Sequence, residues 1–505
     1  FLGGHLDEAV PKLRRALEAA PEDPLHHRVL GMAYRAIEDY DGSLRELRMA
    51  ESLEPESAET QYELALTLEQ MDERQGMSED QEREMETERS QEEVLELLGK
   101  ATRLDPSCAI YQYALGERLL KQGRHDQARM ALERAVELKP GVAAWYGTLG
   151  DLYTGQACYD MALEQYSRAL ESRPKDVAYL HRAALAYHRL GLEEEGQALL
   201  EQAVTLDPGN AELLSDLGDV YFRQGHYQEA MEVYEQAAEL EPGNPSHALD
   251  LGKVAFELGD TEEALSKFKE AIAQSEDYTP AYDCIGSLYE RKEQWSESLE
   301  AYHRASVLQP DNARFHFKVG SAHKRLSQYE EASDSLERAV ALDPMMTDAY
   351  AQLGEAYEKQ ERHDEAMQAY EQAIVIAPHE AVYHRGMGRL CRKLGHLDKA
   401  LVHLREVVNL EPEEPANYYD LAKTYEAREE YDDALQAYLE ACERDPSEAE
   451  YQYGAGVMYK HLKRYPEAAA KLRKAIKLQP AHADAYKQWA AVSAMSFIWR
   501  ERKKV

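Results

Sequence analysis

Apolar residues recur along the chain at intervals of three and four, the spacing that places them on one face of an α-helix. The segment from Ala211 to Asn244 shows the pattern. Leu217, Gly218 and Tyr221 mark one amphipathic stretch, and Ala230, Tyr234 and Ala237 mark a second, before Pro242. Between them Arg223–Ala230 (RQGHYQEA) supplies a glycine turn. Proline lacks an N–H and disfavours helix in the residue before it, so Pro242 ends the second helix and turns the chain. The pattern predicts paired helices of about 12–14 residues, each marginal alone in water.

The pair repeats. Pro106, Pro140, Pro174, Pro208 and Pro242, then Pro310, Pro344, Pro378, Pro412, Pro446 and Pro480, are separated by steps of 34 residues, except for one double step where Glu276 replaces the proline. The unit from Thr347 carries Leu353, Gly354, Tyr357, Ala366, Tyr370, Ala373 and Pro378, the same residues in the same phase as Leu217 to Pro242. This pattern resembles the tetratricopeptide repeat, and the phase runs from Leu25 to Gln488. The resemblance implies an all-α fold, a right-handed superhelical solenoid of 34-residue helix-turn-helix repeats. Small residues such as Gly218 and Ala230 then let paired helices approach, and stacking of neighbours buries the remaining apolar faces.

In this frame, residues 1–23 are a partial repeat with helix B only. Residues 24–57 are one repeat, 58–108 a repeat with a 17-residue acidic insertion, and 109–482 eleven contiguous repeats. Residues 483–505 form a closing helix and a basic tail. The chain begins at Phe1 rather than Met, and with the orphan helix B this leads us to expect that it is part of a longer chain. The insertion falls within Glu69–Glu93, which holds 11 acids and 3 bases. It is expected to be a longer helical hairpin with an acidic tip, either a tolerated surface insertion or a docking element for a basic partner.

Charge changes the functional picture. The net charge is −37, which argues against general nucleic-acid binding because that needs a cationic surface. Yet Tyr459–Val505 has 12 Lys and Arg against 3 Asp and Glu, so one end is basic. Tyr outnumbers Phe 33 to 7, and a ring with a polar tip suits a half-buried helix seam. Five scattered cysteines, Cys108, Cys158, Cys284, Cys391 and Cys442, form no CxxC pair, so neither a disulfide framework nor a zinc site is implied. A cytoplasmic location is expected, and no stretch is apolar enough to span a membrane.

The motifs of common catalytic chemistry are absent: no GxxxxGK[ST], no GxSxG and no HExxH. His379 and His384 are five apart and fall on different helix faces; His181 and His188 share a face but lie too far apart for one metal. Cys391 occupies a core position of the repeat. No metal, cofactor or catalytic residue is therefore expected.

The resemblance implies that helix A lines a concave groove through its fifth, ninth and twelfth positions. In the middle of the chain these positions give Asp151, Asp219, Asp283, Glu290 and Glu355; towards the C-terminus they give Arg385, Arg389, Arg392, Lys423 and Lys460. Arg385, Arg389 and Arg392 follow i, i+4, i+7 spacing, suited to carboxylate or phosphate groups. Chaperone-binding relatives clamp a carboxylate with Lys and Asn at the fifth and ninth positions. Here Ser215 and Asp219, or Asp283 and Ser287, stand there, and no unit has the pair. The groove asparagines of sugar-transferase relatives are missing too, since Asn210, Asn244 and Asn312 lie between units.

The expected function is a non-catalytic protein–protein interaction scaffold binding partner proteins or peptides in its groove, with an acidic partner at the C-terminal groove. The alternative is the sensor or regulatory arm of a larger signalling enzyme whose catalytic domain lies upstream of Phe1. In the closing segment, Ala485, Trp489 and Val492 can cover the preceding repeat, leaving Phe497, Ile498 and Trp499 near the end. Trp489, Phe497, Ile498 and Trp499 are thus a candidate terminal docking patch for protein. Membrane-surface contact is a weaker option. The acidic body and basic end also suit head-to-tail self-association.

Overall fold

A computed structural model describes residues 6–75 and 81–502, with the side chains of 6–8, 73, 75, 81–89 and 496–502 outside the description. Among the described residues there are 28 α-helices and no strand. The chain divides into two units, Phe1–Pro242 and Gly243–Val505, each a stack of antiparallel helix pairs.

Local chemistry sets the helix ends. Asn210, Asn244 and Asn312 are N-caps whose side chains accept backbone N–H groups of the first turn, and Asp23 and Asp260 do the same. Proline opens helices at Pro24, Pro245 and Pro415, where its missing N–H costs nothing. Inside a pair the chain reverses through one left-handed residue. Gly225 holds it at φ 79°, whereas Glu293 and Glu361 are forced into the same region at 57° and 60°.

The phase runs through Glu276. Helix α15 (Thr261–Gln274) ends before it and α16 (Thr279–Arg291) begins after it, while Ala264, Phe268 and Ala271 are fully buried. At the insertion both helices of the pair are longer than their counterparts: α4 runs Ala58–Gln75 and α5 runs Gln81–Leu104. The tip between them, residues 76–80, lies outside the described residues.

One contact recurs in nearly every pair. A small residue of helix A faces a large residue of helix B, and an added Cβ would collide with it. In α12 (Ala211–Arg223) a Cβ on Gly218 would stand 2.5 Å from the ring of Tyr234 in α13 (Tyr227–Leu240). Gly116 and Leu132, Gly150 and Tyr166, Gly252 and Phe268, and Gly388 and Leu404 meet in the same way. The large partner alternates along the chain between an apolar residue and tyrosine: Leu132, Tyr166, Leu200, Tyr234, Phe268, Tyr302, Leu336, Tyr370, Leu404, Tyr438 and Leu472, all buried. This accounts for part of the tyrosine excess, and it has a consequence for the opposite surface.

Substitution at Gly218 should therefore be graded by size. Gly218→Val forces the Tyr234 ring aside and should cost about 1–3 kcal/mol. Gly218→Ala should cost less, because Ala184 and Ala422 already occupy equivalent positions. Amide hydrogen exchange should report the loss as faster exchange in α12 and α13, about tenfold per 1.4 kcal/mol.

Candidate functional site

The A helices of the second unit include α18 (Ala313–Arg325), α20 (Thr347–Lys359), α22 (Ala381–Lys393), α24 (Pro415–Ala427) and α26 (Ala449–His461). From α18 to α24, each touches the next. Buried tyrosines of the B helices reach through to their surface. Tyr302 Oη donates to Glu290 at 2.8 Å, Tyr370 Oη to Glu358 at 2.9 Å and Tyr438 Oη to Glu426 at 2.6 Å. Burial pushes all three phenols up, so they remain protonated donors that fix these carboxylates.

Lys324 and Arg392 stand between these carboxylates, 34 residues from each, and Lys460 stands 34 residues beyond Glu426. The column thus reads Glu290, Lys324, Glu358, Arg392, Glu426, Lys460, alternating in sign. Sequence reading of individual helices did not reveal this alternation. Comparison of one repeat position down the chain would have done so.

Arg385, Arg389 and Arg392 all engage the next repeat. Arg385 Nε donates to Asn417 Oδ1 at 3.3 Å, and its guanidinium pairs with Glu411. Asn417 is buried and donates to the backbone and side chain of Glu411. Arg389 approaches Asp420 Oδ2 at 2.6 Å through Nε, while Arg392 Nη1 donates to Asp420 Oδ1 at 3.0 Å and to its backbone oxygen at 2.9 Å. Asp420, only 4% exposed, was not singled out from sequence because it is the sixth residue of its repeat and falls between the groove positions Tyr419 and Lys423. It is the anchor of the arginine row. Lys423 lies 3.5 Å from Glu426 and over the Tyr419 ring, and Lys460 donates to Gln488 at 2.7 Å.

The outer sides of Arg385 and Arg389 face a cleft of about 740 Å³ that spans α18, α20 and α22. Its cations are Lys324, Arg325, Lys359, Arg385 and Arg389; its carboxylates are Glu355 and Glu358. Lys324 pairs with Glu355 at 2.7 Å, and Arg325 lies over the Trp295 ring. Lys359 is exposed and has no ion-pair partner among the described residues.

The remaining candidates fall into the packing. Cys391 is fully buried, and burial raises its thiol pKa. His181 sits 2.5 Å from Asp216, and His188 2.7 Å from Glu193. No group of side chains suited to a metal ion occurs among the described residues. In the closing helix α28 (Ala483–Arg502), Ala485 and Val492 are buried and Trp489 packs against the last repeat beside Arg473. The side chains of Phe497, Ile498 and Trp499 lie outside the described residues. No helix among the described residues is long and apolar enough to cross a membrane.

Sequence models described as tetratricopeptide repeat match residues 3–58, 119–186, 191–253, 385–449 and 419–483. A model described as the C-terminal domain of cilia and flagella-associated protein 70 matches residues 243–414, a span that contains the 740 Å³ cleft. No curated protein matches the chain. Among solved structures, it is similar to YrrB, described as a TPR protein with an unusual peptide-binding site. The identity is 25%, covering 37% of this chain and 97% of that one, with a TM-score of 0.35. It is similar to the Cut9–Hcn1 structure at 15% identity, covering 97% and 94%, with a TM-score of 0.36. Yeast Tom70 matches at 17% identity, covering 78% and 96%, with a TM-score of 0.33.

Behind the arginine row lies a histidine pair. His384 Nδ1 and His403 Nδ1 are 3.1 Å apart, and His384 Nε2 meets the Pro378 oxygen at 3.0 Å. Burial, then the neighbouring His384, lowers the His403 pKa. A lowered imidazole pKa means the unfolded state binds more protons just below the ordinary histidine value, so stability falls as pH drops through about 6.5 towards the folded value. Exchange protection of α22 and of α23 (Leu397–Leu410) should therefore fall between pH 7 and pH 5 more than that of α20. His403→Gln should flatten that dependence.

Proposed function

The chain belongs to the tetratricopeptide-repeat family, whose repeats serve as protein-interaction scaffolds, and from that premise we propose that the cleft across α18, α20 and α22 holds an acidic segment of a partner protein. The observation that carries this reading is the imbalance within the cleft, five cations against two carboxylates, in a chain of net charge −37. Arg385 and Arg389 are tethered from behind by Glu411, Asn417 and Asp420. Such tethering limits the side-chain entropy lost on binding. A guanidinium has five N–H donors, and Arg389 directs Nε and one terminal nitrogen at Asp420, leaving the other terminal nitrogen for a ligand. Lys423, Arg392 and Lys460 extend the surface, each interrupted by a tyrosine-held or neighbouring acid, so a partner of uniform negative charge fits best at the cleft itself.

Exposed ion pairs contribute roughly 0–1 kcal/mol each and are screened by salt, so binding must be shared among several cations. A fluorescent oligoglutamate peptide is the direct probe. Arg385→Glu with Arg389→Glu should weaken its binding about tenfold or more, and Lys359→Glu about three- to fivefold, with unchanged far-ultraviolet circular dichroism. Raising salt should weaken the wild-type complex. Undiminished binding by the double variant would overturn the assignment.

A further inference from the structure

A second cleft lies in the first unit, on the other side of the helix pairs from the A-helix row. It is a trough of about 600 Å³ formed by one ridge from each of three consecutive helices. Helix α5 gives Leu95, Gly99 and Arg103; α6 (Ala109–Lys121) gives Leu115 and Leu119; α7 (His125–Leu138) and its N-cap give Arg124, Met130 and Arg134. Leu119 is buried in the floor, while Met130 on the wall is 67% exposed. The rim carries three arginines, and among the described residues the lining contains no carboxylate. Arg134 makes a peripheral pair with Glu137, and neither Arg103 nor Arg124 has an ion-pair partner among the described residues.

The molecule contains its own control for this trough. Five repeats further on, α15, α16 and α17 (Trp295–Leu308) form the equivalent cleft, of about 500 Å³. There Lys269 stands in place of Gly99, Glu297 in place of Gln127 and Glu300 in place of Met130, so two carboxylates meet the cations. In the first unit the glycine leaves that space empty. A Cβ on Gly99 would meet only the Arg103 guanidinium, at 3.4 Å. Arg103 itself stands where the following repeats place Glu137 and Glu171. Three changes at repeat-equivalent positions thus act together: one side chain removed, one acid exchanged for methionine and another for arginine. The outcome is an apolar trough ringed by cations in a strongly acidic chain.

We propose that this trough is a second protein-docking site, taking a short segment that is both acidic and apolar, such as glutamates alternating with leucines. The apolar side chains would pack on Leu115, Leu119 and Met130, and the carboxylates would take Arg103, Arg124 and Arg134 as charge-assisted partners. A methionine wall suits this role because its unbranched side chain adapts to differently shaped apolar groups. The site lies in the first unit and is separate from the cleft at Arg385 and Arg389 in the second.

The test uses the whole chain and a labelled eight-residue peptide of alternating Glu and Leu, with a Lys and Leu peptide of equal length as control. Gly99→Lys combined with Met130→Glu copies Lys269 and Glu300, a combination the repeat already accommodates. That variant, and Arg103→Glu combined with Arg124→Glu, should each weaken binding of the Glu and Leu peptide about tenfold or more. The Arg385→Glu, Arg389→Glu variant should leave this binding in place. Equal binding by wild type and both trough variants would overturn the proposal, as would equal affinity for the Lys and Leu control. The absence of saturable binding to wild type would overturn it too.

Discussion

Everything in this chain depends on how closely helix A can approach helix B. A short helix gains little by forming alone, and the apolar face of one pair is too small to close a core. The approach of Gly218 to Tyr234, and its counterparts in the other repeats, brings the backbones near enough for a single large side chain to fill the seam. Once the seam is full, the outer faces of the pair are left apolar, and the next pair must cover them. Growth by stacking follows from that residue-sized fit. It also explains why Glu276 can replace a proline without loss of phase. The turn only redirects the chain, whereas Ala264, Phe268 and Ala271 hold the seam.

The seam residue also governs charge on the far surface. Where it is leucine or phenylalanine, the seam residue itself carries no polar group to that surface. Where it is Tyr302, Tyr370 or Tyr438, a phenol emerges beside a glutamate and holds it. Acidic groups are thus fixed in alternate repeats, and cations occupy the repeats between them. From Glu290 to Lys460 this column of the second unit is consequently patterned rather than graded. The arginine row on α22 stands out because Asp420 gathers Arg389 and Arg392 while Arg385 and Arg389 line the cleft. A buried carboxylate holding two guanidiniums is stable only if its charge is answered, which makes Asp420 as much a part of the surface chemistry as the arginines are.

The architecture was legible in the sequence because its determinants are local and repeated. Proline spacing gave the phase, and Gly218, Ala230 and Tyr234 gave the seam. The face shared by Arg385, Arg389 and Arg392 was legible for the same reason, since helix spacing alone fixes it. Their partners were not, because Glu411 lies beyond the second helix of the same repeat and Asn417 and Asp420 belong to the following one, so their side-chain directions depend on how two pairs dock. The trough at Gly99 was missed for a different reason. A glycine in one helix looks like a small loss of helix propensity, and its meaning appears only beside Lys269, five repeats away. Phe497, Ile498 and Trp499, singled out for their bulk, lie where side chains are outside the described residues, whereas Trp489 is spent on packing against the last repeat.

The alternation of the seam residue sets a rule for how this array can be edited. Excising one repeat between Leu132 and Leu472 would set two seam residues of the same class side by side, and within the column from Glu290 to Lys460 the two charges that meet at the junction would carry the same sign. Excising two adjacent repeats would restore both sequences of residues across the scar. The smallest length that can be added or removed without rewriting the surface is therefore a double repeat, 68 residues, and a lineage that varies this protein by unequal exchange should keep its even-numbered products.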